Sequence, residues 1–168
     1  VLLLHIDGDG QNFIDSSTSN HTVSVFGDAT QTSSEFVFGK SVYFDGAGDY
    51  LRVANHVDWD FGYEDFTIDL WVMKPIGIAQ GGLIHKGDYH TSAGWWIYWG
   101  SATVISFGYQ GWAVDVGGSY PDDGMWHHIA VVRNAGTFFF FLDGILLSSQ
   151  NVSVSLNNSF NLVIGAYG

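Results

Sequence analysis

Short apolar runs alternate with turn formers along the chain at a spacing of roughly 8–15 residues, and the runs are rich in β-branched and aromatic side chains. Phe66–Met73 alternates most regularly, which places Phe66, Ile68, Leu70 and Val72 on one face and Thr67, Asp69, Trp71 and Met73 on the other. Trp126–Val132 and Thr137–Leu142 are separated by Arg133-Asn134-Ala135-Gly136 and closed by Asp143-Gly144, the pattern of a hairpin that hands on to a second tight turn. Further strands are expected at Val1–Ile6, Thr22–Phe26, Ser41–Phe44, Tyr50–Val53, Gly82–His85, Gly94–Trp99, Val104–Tyr109, Trp112–Val116 and Leu162–Ile164. Asp7 to Asn20 reads as loop, and Asp58–Gly62 predicts one short helical turn. Nothing sustains an apolar period of 3.6 residues with a cap and a following glycine. The expected fold is an all-β, two-sheet antiparallel β-sandwich, a jelly roll.

Composition narrows this picture. Hydrophobic residues make up 46% and charged residues 13%, which excludes a disordered chain. The 168 residues fit one domain spanning 1–168, and the absence of an initial Met suggests excision from a longer protein. No uncharged apolar span reaches about 18 residues, so no membrane helix is expected. Cysteine is absent, which removes disulfides and thiolate metal sites. A net charge of −12 argues against nucleic acid and is compatible with neutral sugars or divalent cations.

Four segments, taken in order, resemble the laminin-G-like, pentraxin-like jelly roll of the concanavalin A-like lectin/glucanase superfamily. They are S-V-Y-F-D-G-A-G-D-Y-L (41–51), W-D-F-G-Y-E-D-F-T-I-D-L-W-V (59–72), G-W-W-I-Y-W (94–99) and W-H-H-I-A-V-V-R-N…F-L-D-G (126–144). The resemblance implies one concave and one convex antiparallel sheet, and a setting in bacterial surface proteins or phage virion proteins. It also implies that a closing strand follows where this chain stops. The fold hosts lectins, adhesion modules, hydrolases and structural domains, so function must be argued from residues.

Enzyme chemistry is not expected. A glycosidase needs two carboxylates flanking the scissile bond about 5 Å apart. The chain has only two glutamates, Glu35 and Glu64, and its nearest pair, Asp65 and Asp69, reads as solvent-facing. His127 and His128 point to opposite faces of a strand and cannot share an ion directly. Calcium is the candidate cofactor, because Gly-rich Asp loops supply the oxygens it takes. Asp7-Gly8-Asp9-Gly10 opens like an EF-hand but has Thr18 where the twelfth-position glutamate belongs. Asp7 and Asp49 are the candidate metal ligands. In pentraxin-like relatives half of a calcium site lies in the loop that here contains Asp88.

Sugar binding uses aromatic faces and hydroxyl-reading polar groups, and the chain carries 7 Trp, 8 Tyr and 13 Phe. Trp96 and Tyr98 share one strand face. The family keeps a small residue at the position of Trp96 and a polar or basic one at Phe139. With Trp112 these departures suggest an exposed apolar patch. The candidate ligand-binding residues are therefore Trp96, Tyr98, Trp112, Asp88 and Phe139. The expected role is a non-catalytic carbohydrate-binding or adhesion module of a surface or virion protein, extracellular, with a glycan as partner. The alternative is a structural domain of a phage or viral capsid or tail assembly, whose aromatic face packs on a neighbouring protein subunit or a second copy.

Overall fold

In a computed structural model that describes residues 1–88, 93–111 and 113–165 (the side chains of 88 and 93 excepted), the chain is built almost wholly of strands. They are β1 (Val23–Phe26), β2 (Thr30–Thr32), β3 (Ser41–Tyr43), β4 (Tyr50–Val53), β5 (Phe66–Met73), β6 (Gly81–Asp88), β7 (Ala93–Ser101), β8 (Val104–Tyr109), β9 (Val114–Ser119), β10 (Trp126–Asn134), β11 (Thr137–Leu142), β12 (Ile145–Asn151) and β13 (Leu162–Ile164). The helical turn expected near Asp58 is a 3-10 turn, Val57–Trp59. Among the described residues, a seven-stranded sheet runs β1-β4-β13-β6-β7-β8-β9, a four-stranded sheet runs β12-β11-β10-β5, and β2-β3 form a ribbon. All pairings are antiparallel.

Strict alternation is what lets the two sheets face each other. Trp95, Ile97 and Trp99 of β7, with Ile105 and Phe107 of β8, meet Ile129, Val131, Phe138 and Phe140 from the other sheet, all buried. Phe107 and Phe138 bridge the layers with ring centroids 5.8 Å apart. The alternation expected for β5 holds: Phe66, Ile68, Leu70 and Val72 pack on this core while Thr67, Asp69 and Trp71 are exposed. The β10–β11 hairpin turns at Ala135 and Gly136, both with positive φ (47° and 77°), a combination suited to a two-residue hairpin turn. Ala135 is uncommon in that conformation, and the Asp65 carboxylate pins it by accepting its N–H at 2.9 Å.

Two expectations fail. Val1–Ile6 is not a strand, since Leu4 makes only an isolated bridge to Asp15. Its alternation is satisfied by packing, with Leu2 on the main core and Leu4 and Ile6 beside Phe13, Ala29 and Leu51. The segment is held instead by the Asp15 carboxylate, which accepts N–H bonds from Leu3, Ser17 and His21. Burial opposes ionisation of Asp15, but these bonds prevail and hold its pKa at about 2. The second failure is omission of β2 and β12. In β12 the polar Ser148 and Gln150 close the sandwich: Ser148 Oγ accepts Gly117 N–H at 2.8 Å, and Gln150 Oε1 accepts Asp115 N–H at 2.9 Å. The free edge of β9 is thereby covered by side chains of the opposite sheet.

Candidate functional site

The same alternation that sends Leu51, Val53 and Leu162 into the core turns Tyr50, Arg52 and Val163 to the outer face of the seven-stranded sheet. Register then aligns Ser24, Arg52, Val163, His85, Trp96, Gly108 and Asp115 in one row across seven strands. Over the β4–β13–β6 part of that row lies an open groove of about 330 Å³, lined by Tyr50, Arg52, His85, Phe160, Asn161 and Val163. Tyr50 is stacked on Phe26 (centroids 4.4 Å apart, 4° between planes), and the Arg52 guanidinium lies 4.4 Å from the centroid of the Phe26 ring. Phe160, 40% exposed, forms the rim. Beside it the Asn161 side-chain oxygen accepts Asn55 N–H, which fixes the amide.

The face is the one Trp96 and Tyr98 pointed to, but different residues open onto it. Trp96 is only 5% exposed and therefore does not offer the ring platform expected of it. Its indole lies against the backbone of Gly108, where an added Cβ would come within 2.4 Å of Nε1. Tyr98 is half-buried on the same face. Trp112 and the Asp88 side chain lie outside the described residues. Phe139 is half-buried on the outer face of the four-stranded sheet, so the expected residues do not converge on one site. The signal for the groove was in Y-L-R-V, whose alternation exposes Tyr50 and Arg52, but nothing local joins it to His85 and Phe160.

The four-stranded sheet has its own apolar outer face. Register places Val132 beside Phe139, and Ala130 beside Phe141, which has Leu146 on its other side. Phe139 and Phe141 stack at 6.3 Å, Leu146 is 48% exposed, and Trp71 at the far edge is 43% exposed against His128.

Titratable side chains gather at three places. Asp28, Asp45 and Asp49 bring one carboxylate oxygen each within 4.8 Å of the others, whereas Asp7 belongs to no such group among the described residues. Asp49 takes N–H bonds from Asp45 and Asp28, and these keep its carboxyl below the usual range against the effect of burial. Asp28 is raised, through its hydrogen bond to Asp49 and the charges of Asp49 and Asp45. The donors are the hard oxygens calcium takes, but three carboxylates are about half of a six- to eight-oxygen shell. A second group, His21, His56 and Asp58, clasps the loop before β1 to the 3-10 turn: His21 Nε2 lies 2.8 Å from Asp58 Oδ2, and His56 Nδ1 accepts Asp58 N–H.

In the third group, buried His127 reaches Asp143 at 2.7 Å and Asp123 at 3.2 Å, while His128 faces outward to Asp69. Burial pulls the His127 pKa down, but the bonds to Asp143 and then Asp123 outweigh it and the net shift is upward. A raised folded-state pKa contributes stability fully below the unfolded value of about 6.5 and loses it as pH climbs through the folded value. The thermal midpoint is therefore expected to fall as pH rises above about 6.5, and His127→Gln to flatten that fall. Calorimetry across this rise checks it, and an unchanged slope in the variant contradicts the assignment.

The pair weighed for glycosidase chemistry is occupied otherwise. Asp65 caps the hairpin turn at Ala135, and Asp69 pairs with His128.

Against known proteins, the family model for Laminin_G_3, described as concanavalin A-like lectin/glucanases superfamily, matches residues 45–168. The chain belongs to this superfamily. No curated protein matches it. Among solved structures, the binding domain of botulinum neurotoxin serotype D/C superposes with a TM-score of 0.78 at 17% identity, covering 99% of this chain and 43% of that one. A structure of botulinum neurotoxin type C, described by its dependence on two ganglioside molecules for cell entry, gives 0.77 at 18%, covering 99% and 42%. The type D/C binding domain in complex with rat synaptotagmin II gives 0.77 at 17%, covering 98% and 43%. The chain thus spans less than half the length of these neighbours, and the likeness establishes the concanavalin A-like fold. Among the described residues no helix is long and apolar enough to cross a membrane.

Proposed function

We propose that this concanavalin A-like domain is a non-catalytic carbohydrate-binding module of an extracellular surface or virion protein, and that the groove over β4, β13 and β6 is its sugar site. The observation that carries the reading is the groove's lining: an exposed aromatic rim at Phe160, a stacked Tyr50, and the polar ends of Arg52, His85 and Asn161 in one open depression. Aromatic faces pack on the C–H face of a pyranose while such polar groups read its hydroxyls. Engagement of Asp65 and Asp69 in structural bonds supports a role without hydrolysis. The neighbours support it too, since one is described with gangliosides and another in complex with SialylT.

Phe160→Ala is expected to weaken glycan binding by about tenfold or more, equivalent to about 1.4 kcal/mol. Because the ring is a rim residue, the thermal midpoint is expected to stay close to that of the unaltered protein. A glycan array followed by titration calorimetry, run with calcium and with EDTA, measures both. Binding that survives EDTA separates the sugar site from any ion at Asp28, Asp45 and Asp49. An array left blank by the unaltered protein rejects the reading.

The apolar outer face of β10, β11 and β12 favours the second reading, a structural domain of a phage or viral assembly that packs this face on another subunit. Exposed apolar strips of this kind mark protein contacts.

A further inference from the structure

Five side chains in this chain are Lys or Arg, against 17 Asp or Glu. Four of the five are used internally. Lys40 pairs with Asp9, Lys74 with Asp122 and Lys86 with Asp60. Arg133 is buried, donating to the Gly62 carbonyl at 2.8 Å with its guanidinium near the Phe138 ring. Arg52 is the fifth. Among the described residues its guanidinium makes no hydrogen bond and meets no carboxylate, and its contact is the Phe26 ring. It lines the groove, and among the described residues no acidic side chain lines that groove with it, although the chain carries a net charge of −12.

We propose that the groove selects carboxylated saccharides, with Arg52 as the residue that recognises the acid. The inference rests on the sugar-binding reading above and adds the ligand's charge class. A guanidinium presents a planar fork of donors that matches a carboxylate bidentately, and such charge-assisted bonds are about twice as strong as neutral ones. The contact with Phe26, itself stacked on Tyr50, restrains the Arg52 side chain in advance, so less freedom is lost on binding. The absence of acidic lining among the described residues matters equally. A lone cation on a strongly acidic protein is the place where a carboxylate sugar escapes repulsion, while a neutral sugar gains nothing from that charge. Phe160 and Tyr50 supply the ring contacts, and Asn161 a hydroxyl contact, which directs the choice to a sugar acid rather than a bare anion.

The test is calorimetric titration with matched pairs: lactose against 3′-sialyllactose, and cellotriose against its glucuronate-terminated counterpart. The unaltered protein is expected to bind the acid member of at least one pair about tenfold or more tightly, with the preference shrinking as salt is raised. Which pair responds distinguishes a sialate from a uronate. Arg52→Gln is expected to bring acid and neutral members to the same affinity, and Arg52→Lys to keep only part of the preference, because it retains the charge without the fork. Thermal midpoints confirm that both variants fold. Equal affinities within both pairs, or a preference that survives Arg52→Gln, overturn the inference while Phe160-dependent binding keeps the sugar-binding reading. No binding of any of the four sugars overturns the inference, and a glycan array that is blank as well overturns both.

Discussion

Trp96→Ala is expected to cost about 3–5 kcal/mol of stability, the range found when a large aromatic is removed from a well-packed site. Trp96 is nearly enclosed, and its indole lies against Gly108, the residue opposite it on β8. Removing the ring leaves a void over a glycine, which has no side chain with which to fill it. In a domain of this size the loss corresponds to a thermal midpoint roughly 10 °C lower. Chemical denaturation checks it through a lowered midpoint concentration at unchanged slope. Gly108→Ala should also destabilise, since its new Cβ would meet the indole ring at 2.4 Å. In Trp96→Ala/Gly108→Ala the added methyl occupies the space the ring vacated, so the double variant is expected to lose less than the sum of the two. A Trp96→Ala protein with an unchanged midpoint would restore this residue as a surface platform.

Lys86→Met is expected to destabilise by about 3 kcal/mol, the lower end of the cost of breaking a buried ion pair. Lys86 is fully buried, and its ammonium binds Asp60 together with the backbone carbonyl and side-chain oxygen of Asn158. The lower end applies because the Asp60 side chain stays partly in water and is not left wholly desolvated. Lys86→Met/Asp60→Asn should recover part of the loss, since it removes the uncompensated charge. The substitution also reaches the groove. Asn158 Oδ1 accepts Phe160 N–H at 3.1 Å, and the Asn158 amide donates to the Lys86 carbonyl. The rim carrying Phe160 is thus held by the same cluster, and Lys86→Met is expected to weaken sugar binding along with stability. Calorimetric unfolding and sugar titration on one sample measure both, and a loss of stability with undiminished sugar affinity would separate the cluster from the rim.

Where the sequence reading succeeded, the information was local. Phe66–Met73 and the two halves of the β10–β11 hairpin carry a period of two with turn formers between them, and steric alternation alone assigns their faces. The opposite orientations of His127 and His128 followed from the same rule. β12 escaped notice because its polar residues, Ser148 and Gln150, serve a seam with β9, a contact between sheets that has no local pattern. The burial of Trp96 is hidden from the sequence for a related reason. Alternation correctly put it on the outward side of β7, but whether an outward residue is exposed depends on what neighbouring strands place beside it, and here Gly108 lets the ring lie down.

The calcium expectation divides in the same way. Asp45 and Asp49 stand in one turn, so their proximity is written in the chain, but Asp28 joins them only through the pairing of β1 with β4, and Asp7 is left apart. The groove depends still more on pairing. Arg52, His85 and Val163 come from strands far apart in the chain that lie side by side because β13 inserts between β4 and β6. The chain by itself determined the all-β class, the strand faces and the scarcity of cations, since these depend on residue type and spacing. Tertiary structure alone decided which outward residues are covered and which cation is left unpaired among the described residues, because both follow from strand order and long-range register.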